Sequence, residues 1–76
     1  MMIQKDIFGV EPEIGDTIVW NPANYKGLVH YKCSGFTKSG LPELDVPLMV
    51  NNYGSRNKNG KITPKTGFVV RKLNVT

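Results

Sequence analysis

An all-β fold, a small and strongly bent barrel of about five short strands, is what the sequence predicts. Three observations carry this expectation. Val, Ile and Thr supply 18 of the 76 residues while Ala occurs once, a balance that favours strands over helices. Eight Gly and five Pro punctuate the chain at short intervals, as tight turns require. Between them lie short runs of alternating apolar residues. A chain of this length forms one domain and buries only about 60% of its unfolded surface. It has no room for a separate catalytic domain or a large enclosed cavity.

The elements follow in order. Residues 1–13 read as a lead-in segment: Ile3, Ile7, Phe8 and Val10 are apolar, but Gly9 and Pro12 limit any helix to a turn or two. Such a segment packs either across an open end of its own barrel or on a partner subunit. Residues 14–76 form the barrel. Gly15-Asp16 is a turn, and Thr17–Trp20 is a strand with Ile18 and Trp20 inward. Residues 21–27 are a loop rich in turn-forming residues. Leu28–Phe36 is the longest strand, with Gly35 marking a bulge or bend. Thr37-Lys38-Ser39-Gly40 is a hairpin turn. Leu41–Val50 returns as a strand that Pro42 and Pro47 make irregular or confine to an edge. Asn51–Gly60 is a polar loop in which Asn59-Gly60 suits a turn with positive φ. Lys61–Thr63 is a short strand, Pro64–Gly67 a turn and Phe68–Leu73 the last strand. Alternation in these strands places Ile18, Trp20, Val29, Tyr31, Cys33, Phe36, Val69 and Leu73 in the core.

Charge is unevenly spread. The net charge is +4, yet residues 1–45 sum to −2, and residues 46–76 carry six bases and no acid. A one-signed surface of this kind attracts polyanions such as nucleic acid, although it also serves as a solvated, solubilising face. Folding is free to bring Lys26, Lys32 and Lys38 beside the C-terminal bases. One Cys cannot form an internal disulfide, and a small secreted domain usually carries several, so a reducing, cytoplasmic location is expected. No apolar run reaches the roughly 18 residues that span a bilayer, and the first residues lack the apolar core of a signal peptide.

Catalytic constellations are sparse, and no enzyme, metal or cofactor is expected. His30 and Cys33 stand three apart on a strand, so their side chains face opposite ways, whereas a thiol–imidazole dyad needs hydrogen-bond reach. Two such ligands do not make a structural zinc site. Glu43 and Asp45 share a strand face and have the chemistry for acid–base work, but solvated carboxylates and lysine partners are the commoner role. Ser55-Arg56-Asn57-Lys58 and Lys65-Thr66-Gly67 match the S-x-x-K and K-T-G patterns of serine β-lactamases without the helix and large fold those require.

What survives is a set of residues suited to single-stranded or structured RNA. Within the 51–61 stretch, Tyr53 is able to stack on an unpaired base. Arg56 is suited to clamp phosphate bidentately, and Lys58 and Lys61 supply point charges. The Asn amides can reach base edges. Lys65, Arg71 and Lys72 extend the basic footprint, and Tyr25-Lys26 places a second aromatic beside a cation. A mobile hairpin loop with incidental charge, and a Tyr25 that caps the core, are the structural alternatives.

Gly15-Asp16-Thr17-Ile18-Val19-Trp20, followed by Tyr25-Lys26-Gly27-Leu28-Val29 and Lys32-Cys33, resembles the KOW-type SH3-like barrel. That resemblance covers about 20 residues and implies binding to RNA or to transcription and ribosomal machinery. Asn21-Pro22-x-x-Tyr25-Lys26-Gly27-Leu28-Val29, Lys32-x-x-Gly35-Phe36-Thr37 and the closing Val69-Val70-Arg71-Lys72-Leu73 are similar to small accessory proteins of tailed phages. The resemblance implies a counter-defence factor of the host-cell cytoplasm that inhibits a toxin endoribonuclease by binding it together with RNA. The alternative is a protein-interaction module that occludes or recruits a host protein without nucleic acid. A homodimer is expected, because a small open barrel leaves strand edges and an apolar N-terminal segment for a second copy to cover.

Overall fold

The structure, a computed structural model, describes residues 2–22, 26–47, 49, 56–64 and 67–72. It is all-β: four strands, β1 (Thr17–Trp20), β2 (Val29–Phe36), β3 (Pro42–Leu44) and β4 (Val69–Arg71), make one antiparallel sheet in the order β3-β2-β1-β4. Among the described residues there is no helix, and so none long and apolar enough to cross a membrane.

β1 is central. Ile18 stands opposite Tyr31 on β2 and Val70 on β4, while Thr17 stands opposite Lys32 and Arg71. Alternation then sorts the faces. Ile18, Trp20, Val29, Cys33, Leu44 and Val70 point into the core, joined by Val46, Ile62 and Phe68 from the connections, with Val10, Tyr31 and Phe36 packed against them. Trp20 and Tyr31 lie with ring centroids 6.1 Å apart and planes tilted by 55°, the offset geometry that aromatic pairs prefer. Burying a side chain the size of Ile18 or Leu44 contributes about 1.5–3 kcal/mol.

β1, most of β2 and the bend at Gly35 follow the sequence expectation: the β2–β3 register shifts between Cys33 and Gly35. Three elements differ. The return strand shortens to Pro42–Leu44: Pro42 opens it, and after Leu44 the chain turns, with Val46 N–H donating to the Leu44 carbonyl, before it reaches Pro47, which has no N–H for a ladder. The fifth strand, at Lys61–Thr63, reduces to Ile62, which bridges both Leu44 and Arg56. In the last strand the inward residue is Val70 rather than Val69. An inward Val69 would have turned Arg71 inward as well, and a buried unpaired guanidinium is costly. Phe68 and Val70 therefore take the core positions, and Leu73 lies outside the described residues.

Residues 2–13 pack on their own domain. Asp6, 8% exposed, holds the segment in place. Its Oδ1 accepts the N–H of Phe8 and of Val10, and its Oδ2 accepts the N–H of Val70, each at 2.8 Å. Ile7 N–H donates to the Phe68 carbonyl, and Gln4 N–H to the Gly40 carbonyl. Gly40 admits this close approach: its φ is +87°, and a Cβ there would lie 1.9 Å from the Met2 carbonyl oxygen. Gly40→Ala is therefore expected to destabilise the domain by more than the about 1–2 kcal/mol of a left-handed L-residue, because the lead-in segment must also move. A urea midpoint equal to that of the wild type would contradict this.

Candidate nucleic-acid interface

Two turns with the same construction shape one end of the molecule. In the first, Thr37 N–H donates to the Leu41 carbonyl, Gly40 N–H returns to the Thr37 carbonyl, and Thr37 Oγ1 accepts the Leu41 N–H. In the second, Asn57 N–H donates to the Lys61 carbonyl and Gly60 N–H returns to the Asn57 carbonyl. Asn57 Oδ1 accepts the N–H of Asn59 and of Lys61. Each turn needs an acceptor side chain at its start and a glycine with positive φ at its end, and Gly40 and Gly60 supply φ of +87° and +75°. The residue after the acceptor is Lys38 in one turn and Lys58 in the other, both exposed.

Both turns line a cleft of about 540 Å³, formed by Phe36, Thr37, Lys38, Glu43, Asn57, Lys58 and Asn59. Phe36 is half-buried. The Glu43 carboxylate is held by Asn57, whose Nδ2 donates to Oε2 at 2.7 Å, and by Asn59 at 3.4 Å. Gly35 makes space for it, since a Cβ on Gly35 would stand 3.3 Å from Glu43 Oε1.

A second basic locus lies on the outer face of the sheet. Lys32 and Arg71 flank Thr17 from β2 and β4, which sets them about 10 Å apart at the usual strand spacing. His30 is exposed on the same face of β2. Thr17, His30, Lys32 and Asp45 line a shallow depression there together with Tyr31.

The structure divides the sequence-derived cations into two groups. Arg56, Lys61 and Lys72 have partners within the fold. Arg56 Nη1 donates to the carbonyls of Val46 at 2.8 Å and Gly60 at 3.1 Å, and Nη2 to that of Pro47 at 2.7 Å. Lys61 pairs with Asp45 at 2.7 Å. Lys72 pairs with Asp16 at 2.7 Å and Glu13 at 3.0 Å. Hydrogen bonds that the Lys72 ammonium donates to Asp16 and then to Glu13 push it above its ordinary range. Burial works to raise the Asp16 carboxyl, but Lys72 and the Glu13 N–H outweigh it and hold that group below its ordinary range. Lys26, Lys32, Lys38, Lys58 and Arg71 are exposed and make no salt bridge among the described residues. Tyr25, Tyr53, Ser55 and Lys65 lie outside the described residues.

The catalytic candidates separate. His30 is exposed and Cys33 is 2% exposed on the opposite face. Burial pushes the Cys33 thiol up, away from the reactive thiolate. Asp45 lies beyond the end of β3 in its pair with Lys61, and Glu43 is engaged by the Asn57 amide. No group of three His, Cys, Asp or Glu among the described residues is placed to hold a metal ion.

Sequence reasoning singled out Lys58 and Arg71 as RNA contacts and left open whether folding brings Lys32 and Lys38 beside the C-terminal bases; it did not connect Phe36 or Glu43 with Lys38 and Lys58. A signal for Lys38 was present: Thr37-Lys38-Ser39-Gly40 and Asn57-Lys58-Asn59-Gly60 share the order acceptor, Lys, polar residue, Gly. No protein-family model matches the chain, and no curated protein or solved structure gives a significant match.

Proposed function

We propose that this protein is a small RNA-binding module that works by binding rather than by catalysis. The observation that carries this reading is the convergence of exposed cations from distant parts of the chain. Lys38 and Lys58 meet across one cleft that also offers an aromatic ring and amides, and Lys32 and Arg71 align across β1. Cations held in no ion pair attract phosphate, and an aromatic ring beside them serves as a stacking platform. Tyr25, Tyr53 and Lys65, which lie outside the described residues, remain RNA-contact candidates from the sequence alone.

The sequence resemblance to small accessory proteins of tailed phages extends this reading to a counter-defence factor of the TifA type, one that binds RNA and the toxin endoribonuclease ToxN together. A second reading, a protein-interaction module, is favoured by a separate observation: Ile7, Phe8, Ile14 and Leu28 are 60–74% exposed. In the toxin-inhibitor reading, the cationic surfaces take RNA while these apolar residues meet protein.

Salt separates the two readings. Four phosphate contacts by Lys32, Lys38, Lys58 and Arg71 give a slope of log K against log salt near −3, at roughly −0.7 per contact with single strands. Lys38→Ala with Lys58→Ala is expected to reduce that slope by about 1.4 and to weaken binding to all single-stranded RNAs. Binding no tighter than that of an inert basic protein at low salt would leave the protein-interaction module as the reading.

A further inference from the structure

The cleft between the two turns holds a carboxylate where a simple phosphate site would have none. Glu43 Oε2 is engaged by the Asn57 and Asn59 amides. Oε1 accepts no hydrogen bond from the described residues. Lys38 and Lys58 line the same cleft without pairing with Glu43, whose only side-chain donors among the described residues are those two amides. The cleft therefore presents an oriented acceptor, an aromatic face and two cations. A ligand complementary to all three has a planar ring, an edge of adjacent N–H donors, and a negative charge at some distance from that edge.

We propose that this cleft is a base pocket selective for guanine in single-stranded RNA, with Glu43 as the residue that reads the base. The proposal rests on the RNA-binding reading and deepens it. Guanine presents two neighbouring donors, N1–H and the 2-amino group, on its Watson–Crick edge. Adenine and cytosine each set a ring acceptor beside their amine, and uracil flanks its single N–H with two carbonyls. A carboxylate has only acceptor sites, so it attracts the guanine edge and repels an acceptor on any other. Asn57 is a positioning residue: its own Oδ1 is locked by two backbone N–H groups, so its amide faces Glu43 in one orientation. Phe36 offers the stacking face, and Lys38 and Lys58 stand at the rim for the flanking phosphates. The volume of about 540 Å³ lies within the usual range for small-ligand sites.

The test uses the full chain and fluorescent heptaribonucleotides of uridine whose central residue is guanosine, inosine, adenosine or uridine, read by anisotropy at low salt. Guanosine is expected to bind about tenfold more tightly than adenosine or uridine, the low end of the discrimination that a specific base-edge contact supplies. Inosine, which lacks the 2-amino group, should fall between them. Glu43→Gln should bring guanosine and adenosine toward parity, and Gly35→Ala, whose Cβ presses on Oε1, should weaken guanosine selectively. Far-ultraviolet circular dichroism establishes that each variant is folded. The guanosine–inosine comparison in the wild-type protein decides the matter if one is not. Equal, salt-dependent binding of all four oligonucleotides overturns the pocket and leaves the RNA reading intact. A guanosine preference that survives in folded Glu43→Gln overturns the role of Glu43. Binding to none of the four overturns the RNA reading and the pocket together.

Discussion

Asp6→Ala is expected to destabilise the protein by about 3–5 kcal/mol, because three backbone N–H groups lose a charged acceptor at once. One of them, on Val70, is buried in β4, and the other two shape the turn that returns Val10 to the core. Total stability of a domain this small lies near the low end of about 5–15 kcal/mol, so the variant should be largely unfolded at 37 °C. Asp6→Asn should fall between Asp6→Ala and the wild type. An amide oxygen can keep the Phe8 and Val10 bonds, but its NH2 group would confront the Val70 donor. Urea denaturation followed by circular dichroism measures the order. A wild-type midpoint for Asp6→Ala would show that the lead-in segment contributes nothing to the fold.

The same carboxylate sets the acid limb of stability. Burial works to raise its pKa, but the N–H groups of Val70, Val10 and Phe8 outweigh that and hold it below the ordinary value. The unfolded chain titrates near the ordinary value of about 3.9. The contribution of Asp6 is thus complete above that pH and is lost as pH falls through the lower, folded pKa. Asp16 acts in the same direction. Stability should stay level from neutral pH down to about pH 5 and fall below about pH 4, and Asp6→Asn should flatten that fall.

Arg56→Ala is expected to cost about 2–3 kcal/mol, a loss of folding rather than of a phosphate contact alone. The guanidinium ties the chain after β3, through the Val46 and Pro47 carbonyls, to the second turn, through Gly60. Arg56→Lys keeps the charge but not the planar fork, so one ammonium cannot meet all three carbonyls. It should lower the urea midpoint while leaving the salt slope of RNA binding unchanged. For Arg56→Ala, a lower slope at unchanged stability would mean that Arg56 serves RNA and not the fold. The sequence alone suited Arg56 to clamp phosphate, since nothing local distinguishes a phosphate clamp from a carbonyl clamp.

Local chemistry by itself determined much of this protein. Alternation at Thr17–Trp20 and the opposed faces of His30 and Cys33 are properties of an extended backbone. The bend at Gly35 and the two glycine-closed turns follow from what φ each residue tolerates. The all-β class follows from their sum. Tertiary structure decided which partner each charge found. The acid-free C-terminal half meets the acidic N-terminal half, so Lys72 is taken by Glu13 and Asp16 and Lys61 by Asp45. Lys38 and Lys58, twenty positions apart in the chain, meet across one cleft. Asp6 reaches Val70 over 64 positions. The physical reason is range: turn and strand preferences act over a few residues, whereas ion pairs and cleft walls depend on distances that exist only after the core of Ile18, Leu44, Ile62 and Phe68 has drawn the strands together.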